Sequence, residues 1–379
     1  METKLLNGNN KEAIAEASKI LQDGGLVAFP TETVYGLGAD ALNADAAAKI
    51  YAAKGRPSDN PLIVHIADTD AVEKLADLET MNRTHPDMVK KAHMLMEAFW
   101  PGPLTIIFPK LAIVPDGTTG GLPTVAIRMP SHPIAQELIR TSGVSIAAPS
   151  ANTSGRPSPT TAQHVWEDMD GRIEMILDGG AVGIGIESTI VDMTGTIPTI
   201  LRPGFITKTM LSEIVGDVTI DPAIIEPDPN LRPKAPGMKY THYAPHGTLS
   251  IVEAVADESA NRASLHSGVK VSYNATEAET LRVAEKIKAL VNEKEAQGYR
   301  VAILTTKEHA SLYKNYSHVL IVGEGSKGQT ISARLYAAPR ECDSEQMEYM
   351  YSEAFDQNEL GGAIMNRLLK AAGHRVITV

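Results

Sequence analysis

The stretch DPAIIEPDPNLRPKAPGMKYTHYAP, residues 221–245, divides the sequence into two parts and contains six prolines. Proline fixes the backbone angle φ and lacks an amide hydrogen, so this density excludes a helix or a central strand and favours an extended, semi-rigid segment. Patterns of helices and strands precede the stretch and resume after it. The sequence therefore predicts two domains, residues 1–215 and 247–379, joined by a linker at 216–246.

Both predicted domains show the alternation of helices and strands that is typical of α/β proteins. In the first domain, helical stretches such as KEAIAEASKILQDGG alternate with apolar runs such as LVAFP and LTIIFPK, and we expect further helices near 70–79 and 86–98. In the second domain, GTLSIVEA, VKVSYNA, RVAILTT and HVLIVG predict strands beside a long helix at 276–297. We therefore expect the second domain to be small, with a parallel, Rossmann-like sheet.

The composition is that of an ordinary globular protein, with 43% hydrophobic and 21% charged residues. No apolar run approaches the ~18 residues of a membrane span, and the first residues lack the layout of a signal peptide, so we expect a cytoplasmic protein. The single cysteine, Cys342, excludes an internal disulfide framework and a multi-cysteine zinc site. The net charge of -11 disfavours broad, non-specific nucleic-acid binding but leaves room for a local basic pocket.

Two glycine patterns raise the alternative of a dinucleotide site. GLGADA at 36–41 follows a possible strand, and GEGSKG at 323–328 has the full G-x-G-x-x-G spacing between a predicted strand and a predicted helix. Such a turn lets the backbone approach a pyrophosphate at a helix N-terminus. A single match in a small α/β domain is more often an ordinary turn, and the sequence contains no P-loop motif. An ordinary turn is the favoured interpretation.

Loops of the first domain concentrate hydroxyl, amide and arginine side chains. Any one of these segments could be a solvated turn, but most of them follow predicted strands, and open α/β sheets bind ligands at strand ends. Arginine and lysine beside hydroxyl groups are suited to phosphate and carboxylate recognition, and a basic pocket in an acidic chain favours a small anion such as a nucleotide. The candidate residues are Thr31, Glu32, Thr33, Lys54, Arg56, Ser58, Asp59, Asn60, Arg128, Ser150, Asn152, Ser154, Arg156, Ser158, Ser188, Thr189 and Arg202.

The sequence offers no obvious protein nucleophile or metal centre. Its histidines are scattered, without H-x-H or H-E-x-x-H spacing, and it lacks a G-x-S-x-G motif. His65, in the predicted strand LIVHIAD, could face a cleft, although a lone histidine in a strand is more often a core residue. This pattern favours a site that positions two substrates and neutralises their charge while they react with each other.

Seven segments of the first domain, taken in order, resemble the YrdC-like threonylcarbamoyl-AMP synthases: FPTETVYGLGADA, KGRPSDNPL, PGPLT, VAIRMPSHP, APSANTSGRPSPT, GIESTIVD and LRPG. The segment APGMKYTHYAP and the domain after it resemble the long, two-domain form of that family. The resemblance covers essentially the whole chain, and several ordered motifs make it far more specific than one motif alone. It implies that the first domain is a twisted, open α/β sheet with a concave basic cavity.

The resemblance also implies a nucleotidyltransferase reaction. L-Threonine, bicarbonate or CO2, and ATP would give L-threonylcarbamoyl-AMP and pyrophosphate, with the threonine carbamate attacking the α-phosphate. Mg2+ would be held by the ATP phosphates rather than by protein side chains. The product would pass to the machinery that forms N6-threonylcarbamoyladenosine at position 37 of tRNAs reading ANN codons. Because the nucleophile belongs to the substrate, this reaction needs no protein nucleophile.

Individual residues receive roles from the same resemblance. Lys54 and Arg56 would be catalytic, because they add positive charge beside the phosphates. Arg128 would pair with the threonine carboxylate. The threonine-binding residues would be Thr33, His65, Arg128, Ala148 and Ser188. The ATP-binding residues would be Arg56, Asn60, Thr124, Ser150, Ser158, Arg202, Tyr240 and Tyr243.

The linker prompts a further hypothesis. Residues 235–245 would fold back over the cavity of the first domain as a lid, with Tyr240 or Tyr243 reaching a phosphate, because closed sites protect labile intermediates from water. Alternatively, these side chains merely pack the linker onto the surface. A different function, RNA binding or assembly through the concave surface, also stays open, and so does direct tRNA binding. Carbamoyl transfer in hydrogenase maturation is disfavoured, since those proteins carry cysteine-rich zinc motifs.

Overall fold

The computed structural model describes residues 2–224, 235–236, 243–254, 275–355 and 360–379. The chain forms two units. Unit 1 comprises Met1–Ser154 and Ser158–Tyr240, and unit 2 comprises Gly155–Pro157 and Thr241–Val379. The first unit thus extends beyond residue 215 into the proline-rich linker, and three residues of a first-domain loop belong to unit 2.

The described residues of unit 1 form one sheet of eleven strands, and the helices pack on it. The strands are β1 (Lys4–Asn7), β2 (Val27–Pro30), β3 (Tyr35–Asp40), β4 (Ile63–His65), β5 (Leu104–Pro109), β6 (Thr124–Arg128), β7 (Ile146–Ala147), β8 (Met175–Asp178), β9 (Thr189–Asp192), β10 (Thr199–Arg202) and β11 (Thr219–Ile220). The helices are α1 (Lys11–Gln22), α2 (Ala44–Lys54), α3 (Leu78–Thr84), α4 (Pro86–Phe99), α5 (Asp116–Thr119), α6 (Pro133–Ser142), α7 (Ala162–Met169) and α8 (Lys208–Val215). Short 3-10 turns lie at Thr69–Ala71 and Pro222–Ile224.

The order of the strands in this sheet is β1-β8-β2-β3-β7-β4-β6-β5-β9-β10-β11, with both parallel and antiparallel pairs. Residues alternate between the two sides of each strand. Val64, Ile106 and Ile127 face the larger core beneath the helices. On the opposite face, Ile63 and Ala126 belong to a small apolar cluster. The predicted α/β class is confirmed for this unit.

Local signals explain where the site-bearing helix α2 begins and ends. The Asn43 side chain accepts hydrogen bonds from the N–H groups of Asp45 and Ala46, which caps the N-terminus. Gly55 ends the helix in the left-handed conformation with φ of 61°, which glycine adopts without steric cost. This ending places Lys54 in the last turn and Arg56 directly after the helix.

Two local predictions for unit 1 were wrong. The helix expected near 70–79 is a 3-10 turn, and α3 begins only at Leu78, where the Asp77 side chain caps it. Ala76 instead forms an isolated β-bridge with Lys110, a tertiary contact that the local pattern does not contain. GLGADA lies in strand β3, apart from its last residue, and is not a turn. Glycine is required at Gly38 for close packing, because a Cβ atom would lie 2.8 Å from the Phe29 ring.

Unit 2 is a smaller α/β unit, and its described residues form one five-stranded sheet. The strand pairs described in this sheet are parallel, which confirms the predicted parallel sheet. Of the predicted strand VKVSYNA, residues 269–274 lie outside the described residues. The strands are β12 (Thr248–Glu253), β13 (Val301–Thr306), β14 (Val319–Gly323), β15 (Tyr349–Glu353) and β16 (Val376–Thr378). Their order in the sheet is β14-β13-β15-β12-β16. The helices are α9 (Glu277–Ala296), α10 (Gly328–Arg334), α11 (Ala337–Ser344) and α12 (Leu360–Ala371), with a 3-10 turn at Ala310–Tyr313.

Candidate functional site

A row of polar residues crosses one face of the unit 1 sheet. His65 on β4 pairs in register with Arg128 on β6, and Arg128 pairs with Thr105 on β5. The three residues share the face of Ile63 and Ala126, two positions before His65 and Arg128 on their strands, because side chains alternate along a strand. All three side chains are buried. Polar groups from three adjacent strands therefore meet above an apolar floor.

Arg128 is the best-connected member of this row. Its Nη1 donates to Thr33 Oγ1 at 3.0 Å, its Nη2 to Glu32 Oε1 at 2.6 Å, and its Nε to the Gly102 carbonyl at 3.3 Å. The second Glu32 oxygen accepts a hydrogen bond from the Ser131 N–H at 3.1 Å. Glu32 therefore joins the loop before β3 to the end of β6 and to the loop that follows it. These contacts orient the guanidinium group of Arg128, which has five N–H donors and can still donate to a ligand.

His65 is held in its neutral form. Burial, and then the positive charge of Arg128, lower the pKa of His65 to about 3. Its Nδ1 lies 3.1 Å from the Ile63 carbonyl, which can only accept a hydrogen bond. The neutral ring carries one proton, and Nδ1 is placed to donate it to this carbonyl. This histidine supplies polarity to the site without adding charge.

A second cluster is centred on Ser188, which precedes β9. Its hydroxyl lies 2.8 Å from Thr105 Oγ1. Arg202 Nη2 donates to the same hydroxyl at 3.1 Å, Arg202 Nε donates to the Ser188 carbonyl at 3.1 Å, and Nη1 donates to the Pro236 carbonyl at 3.4 Å. Ser188 and Arg202 were predicted for threonine and ATP respectively, so the structure brings those two predicted groups into contact.

The Lys54 side chain donates hydrogen bonds to the loop that follows β7. Its ammonium group donates to the Ser150 carbonyl at 2.5 Å and to the Asn152 carbonyl. The Ser150 hydroxyl donates to Asn152 Oδ1 at 2.5 Å. The Ser154 N–H donates to the Lys54 carbonyl at 2.8 Å, and this contact closes the same loop. Lys54 is buried. Its hydrogen bonds therefore fix the conformation of this loop, and its ammonium group also contributes positive charge to the site.

Arg56 and Asn60 lie in the loop after α2. Arg56 Nε donates to the Asn60 carbonyl at 3.3 Å, and its Nη2 donates to the Pro61 carbonyl at 3.1 Å. The Asn60 side chain is 1% exposed, and its Oδ1 has no hydrogen-bond partner in the described part of the chain. A buried acceptor without a partner is costly, and a donor on a ligand would satisfy it.

Three further predicted binding residues are Ser158, Thr124 and Ala148. The Ser158 hydroxyl donates to Glu187 Oε1 at 2.6 Å, and both residues are buried. Thr124 begins β6, on the face that carries Arg128. The Ala148 N–H already donates to the Ile63 carbonyl at 2.8 Å.

The two linker tyrosines differ in what the structure describes. Tyr243 belongs to unit 2, where its ring stacks on Tyr336 with centroids 5.0 Å apart. Tyr240 lies outside the described residues, and so do most of the other residues of the predicted lid. Of that segment before Tyr243, only Ala235 and Pro236 are described, and Ala235 is fully buried in the apolar cluster on the site face of unit 1.

Three residues of this network received no ligand from sequence reasoning. Glu32 was named only as a candidate loop residue, and Thr105 and Glu187 were given no role. Glu32 and Glu187 lie inside motifs that were already noted, so a carboxylate beside a predicted binding residue was the available signal. Thr105 is the last residue of the noted motif PGPLT, but it also stands in the apolar strand LTIIFPK, where a single hydroxyl gave little indication of a site.

An amide of the glycine-rich turn in unit 2, residues 323–328, is hydrogen-bonded to a side chain of the protein itself. The turn lies between β14 and α10, as its spacing predicted. Gly325 N–H donates to Glu308 Oε2 at 2.8 Å, so an internal carboxylate takes the place that a phosphate would need. This contact favours the ordinary-turn interpretation over a dinucleotide site.

Two kinds of feature are absent from the described residues. In the ranges given above, no helix is both long and apolar enough to cross a membrane. Within the same ranges, no group of three or more His, Cys, Asp or Glu side chains could hold a metal ion.

The fold and the site together define an α/β protein with buried polar and basic side chains on one sheet face, and comparisons with known proteins narrow this class. A family model described as Telomere recombination matches residues 19–204, and one described as Threonylcarbamoyl-AMP synthase, C-terminal domain, matches residues 206–373. The chain belongs to the threonylcarbamoyl-AMP synthase family, an enzyme family of the nucleotidyltransferase type. The predicted family, fold class and enzyme class are confirmed.

Relatives match over nearly the whole chain. The threonylcarbamoyl-AMP synthase of Bacillus subtilis is 46% identical, with 97% of this chain and 95% of the relative covered. That of Pyrococcus abyssi is 40% identical, with 98% of each covered. The crystal structure of P. abyssi Sua5 complexed with L-threonine superimposes with a TM-score of 0.84 at 40% identity, covering 100% of both chains.

Proposed function

We propose that this protein condenses L-threonine, bicarbonate or CO2, and ATP into L-threonylcarbamoyl-AMP and pyrophosphate. The observation that carries the proposal is the polar network on one sheet face, in which Thr105 and Ser188 lie between Arg128, the proposed carboxylate partner, and Arg202, a proposed phosphate partner. A solved relative bound to L-threonine supports the amino-acid substrate. Two substrates that react with each other need this proximity more than they need a protein nucleophile.

Threonine would bind at the Arg128 end of the network. Arg128 would receive the carboxylate, with Thr33 and Ser188 supplying hydroxyl groups and neutral His65 supplying an uncharged polar ring. Because the Ala148 N–H is already used by Ile63, its contribution would come from the carbonyl.

ATP would bind along the loops after α2 and β7 and at Arg202. Arg56 and Arg202 would neutralise phosphate charge. The unsatisfied Asn60 Oδ1 would accept a hydrogen bond from a donor of the nucleotide, such as the adenine amino group. Ser150 and Ser158 would lie beside the phosphates, on a loop that Lys54 holds in place, and Thr124 and Tyr243 would complete the set.

Mg2+ would arrive with the nucleotide. The donor set of the site is rich in arginine, lysine and hydroxyl groups and poor in clustered carboxylates, which fits a metal ion carried by the phosphates rather than by the described protein side chains. When bound, the ion would share the neutralisation of phosphate charge. The arginines would hold the phosphates in place while the carbamate of threonine attacks the α-phosphate.

The linker would act as a lid over this site. Ala235 packs on the site face and the Pro236 carbonyl accepts from Arg202, and these two contacts support a linker path beside the ATP-binding arginine. Closure would shield the carbamate and the mixed anhydride from water. Tyr240, outside the described residues, and Tyr243 are the residues proposed to reach the nucleotide.

The product would serve N6-threonylcarbamoyladenosine formation at position 37 of tRNAs reading ANN codons, in the cytoplasm. Threonylcarbamoyl-AMP is an activated acyl-type donor, so a separate transferase that accepts it would complete the modification. For this function the proposed domain limits are a catalytic domain at 1–215, a linker at 216–246 and a C-terminal domain at 247–379.

Pyrophosphate release from ATP tests the proposal directly. Release should require both L-threonine and bicarbonate, because the carbamate is the nucleophile. L-Serine, which lacks one methyl group, should be poorer by about tenfold or more, since one methylene-sized group in an apolar pocket is worth ~1–3 kcal/mol. Equal release without an amino acid would contradict the proposal, and RNA binding without any release would favour the RNA-binding alternative.

A further inference from the structure

We propose that Glu32 recognises the α-ammonium group of threonine and so makes the site selective for a zwitterionic amino acid. This inference rests on the proposed function, because it assumes that threonine places its carboxylate on Arg128. It assigns to Glu32 a role in substrate selection beyond its ion pair with Arg128.

The Glu32 carboxylate is fixed at both of its oxygens. Oε1 lies 2.6 Å from Arg128 Nη2, and Oε2 accepts the Ser131 N–H at 3.1 Å. The side chain is 14% exposed, whereas that of Arg128 is 4% exposed. Glu32 is therefore held rigidly and is the more accessible member of the pair.

This carboxylate keeps capacity for a ligand. An ionised carboxylate offers about four lone-pair sites. The two contacts to Arg128 and Ser131 use two of them. About two acceptor sites thus remain, and an ammonium group is a donor with the complementary charge.

The geometry of an α-amino acid matches this pair of charges. Its ammonium nitrogen and its carboxyl carbon are bonded to the same carbon atom, so the two charged groups lie side by side. A carboxylate bound to Arg128 therefore brings the ammonium group beside the carboxylate that already contacts Arg128. Because Arg128 and Glu32 are jointly neutral, they suit a zwitterion better than a simple anion.

Calorimetric binding of two ligands tests this inference. The ligands are L-threonine and its 2-hydroxy analogue, which keeps the carboxylate and replaces the ammonium group by a hydroxyl. The wild-type chain should bind L-threonine about 10- to 100-fold more tightly than the analogue, as expected for one charge-assisted contact. Glu32→Gln, which has nearly the same shape, should bring that ratio close to one.

Two control variants distinguish recognition of the ligand by Glu32 from a role of Glu32 in positioning Arg128. Arg128→Lys should weaken both ligands by a similar factor and leave the ratio unchanged. Glu137→Gln removes one exposed carboxylate of α6 and should change neither affinity. ATP affinity, measured in every variant, reports whether the rest of the site is intact.

The outcomes are distinguishable. If Glu32→Gln weakens both ligands equally, Glu32 only positions Arg128 and the inference is overturned. If it tightens both, Glu32 competes with the substrate carboxylate, and the inference is again wrong. If the wild-type chain binds neither ligand while ATP binds, the proposed threonine substrate fails.

Discussion

Arg128 in unit 1 and Glu353 in unit 2 are both buried charged residues at the end of a strand, but their partners differ. Arg128 is bonded to the loop residues Thr33 and Glu32 and keeps about two of its five N–H groups for a ligand. Glu353 accepts from Thr305 at 2.7 Å and lies 2.6 Å from His309 Nδ1, both from its neighbouring strand β13 and the turn after it.

The difference shows that a charged residue at a strand end is not enough to indicate a binding site. In unit 1 the neighbours of Arg128 are further polar groups from adjacent strands. In unit 2 the neighbours of Glu353 include Tyr313, and burial, together with the nearby Glu353 carboxyl, raises the pKa of that phenol. We interpret the first cluster as a ligand site and the second as a structural bridge.

The largest expected effect is a loss of threonine affinity, which should follow from a change at Arg128 but not from one at Glu353. Arg128→Ala removes the proposed carboxylate partner and leaves Glu32 without its ion pair. Threonine affinity should fall about 100-fold, because a charge-assisted hydrogen bond is worth ~1.5–3 kcal/mol and a guanidinium group can form two to one carboxylate. Glu353→Gln should leave threonine and ATP affinity unchanged. Calorimetry with each ligand measures both.

Arg56→Ala is the matched control within unit 1. It should weaken ATP about tenfold and leave threonine nearly unchanged, because the loss is one charge-assisted contact to a phosphate. If Arg128→Ala and Arg56→Ala both bind both ligands normally, the site assignment in unit 1 is wrong.

The second prediction concerns the stability of unit 2. Burial raises the pKa of Glu253 from 4.5 to about 7. The folded chain therefore holds a proton that the unfolded chain releases, and stability should fall as pH rises from about 4.5 to about 7.

Thermal unfolding between pH 4 and pH 8 measures this effect. Glu253→Gln should remove much of the fall, whereas Glu285→Gln, on the exposed side of α9, should not alter it. His309 contributes in the same direction, because its contact with Glu353 raises its pKa and is lost as pH rises through that value. A wild-type stability that does not fall across this range would contradict the prediction.

The smallest expected effect concerns the linker. The paired change of Tyr240 and Tyr243 to Phe keeps the ring that stacks on Tyr336 but removes both hydroxyl groups. We expect a several-fold loss of synthesis and an unchanged unfolding temperature, as for one or two neutral hydrogen bonds at ~1 kcal/mol each. Full activity would favour the alternative that these side chains only pack the linker.

Much of the fold could be predicted from the sequence because its signals are local. The helix α1 and the apolar strand LTIIFPK were both predicted. The strand β3 was missed because its two glycines look like a turn until Phe29 and Ile146 are packed against Gly38. The helix near 70–79 failed for a similar reason, since Ala76 bridges to Lys110.

By itself the sequence determined the α/β class and the family, since periodicity and ordered motifs are properties of contiguous residues. Only the tertiary structure decided which polar groups meet. Arg128 and Glu32 are 96 residues apart, and Thr105 and Ser188 are 83 apart. Their contacts arise from strand order and register, which place distant segments side by side on one face of the sheet. No local pattern contains that information, and for this reason the partners of Glu32 and Thr105 became evident only in the folded chain.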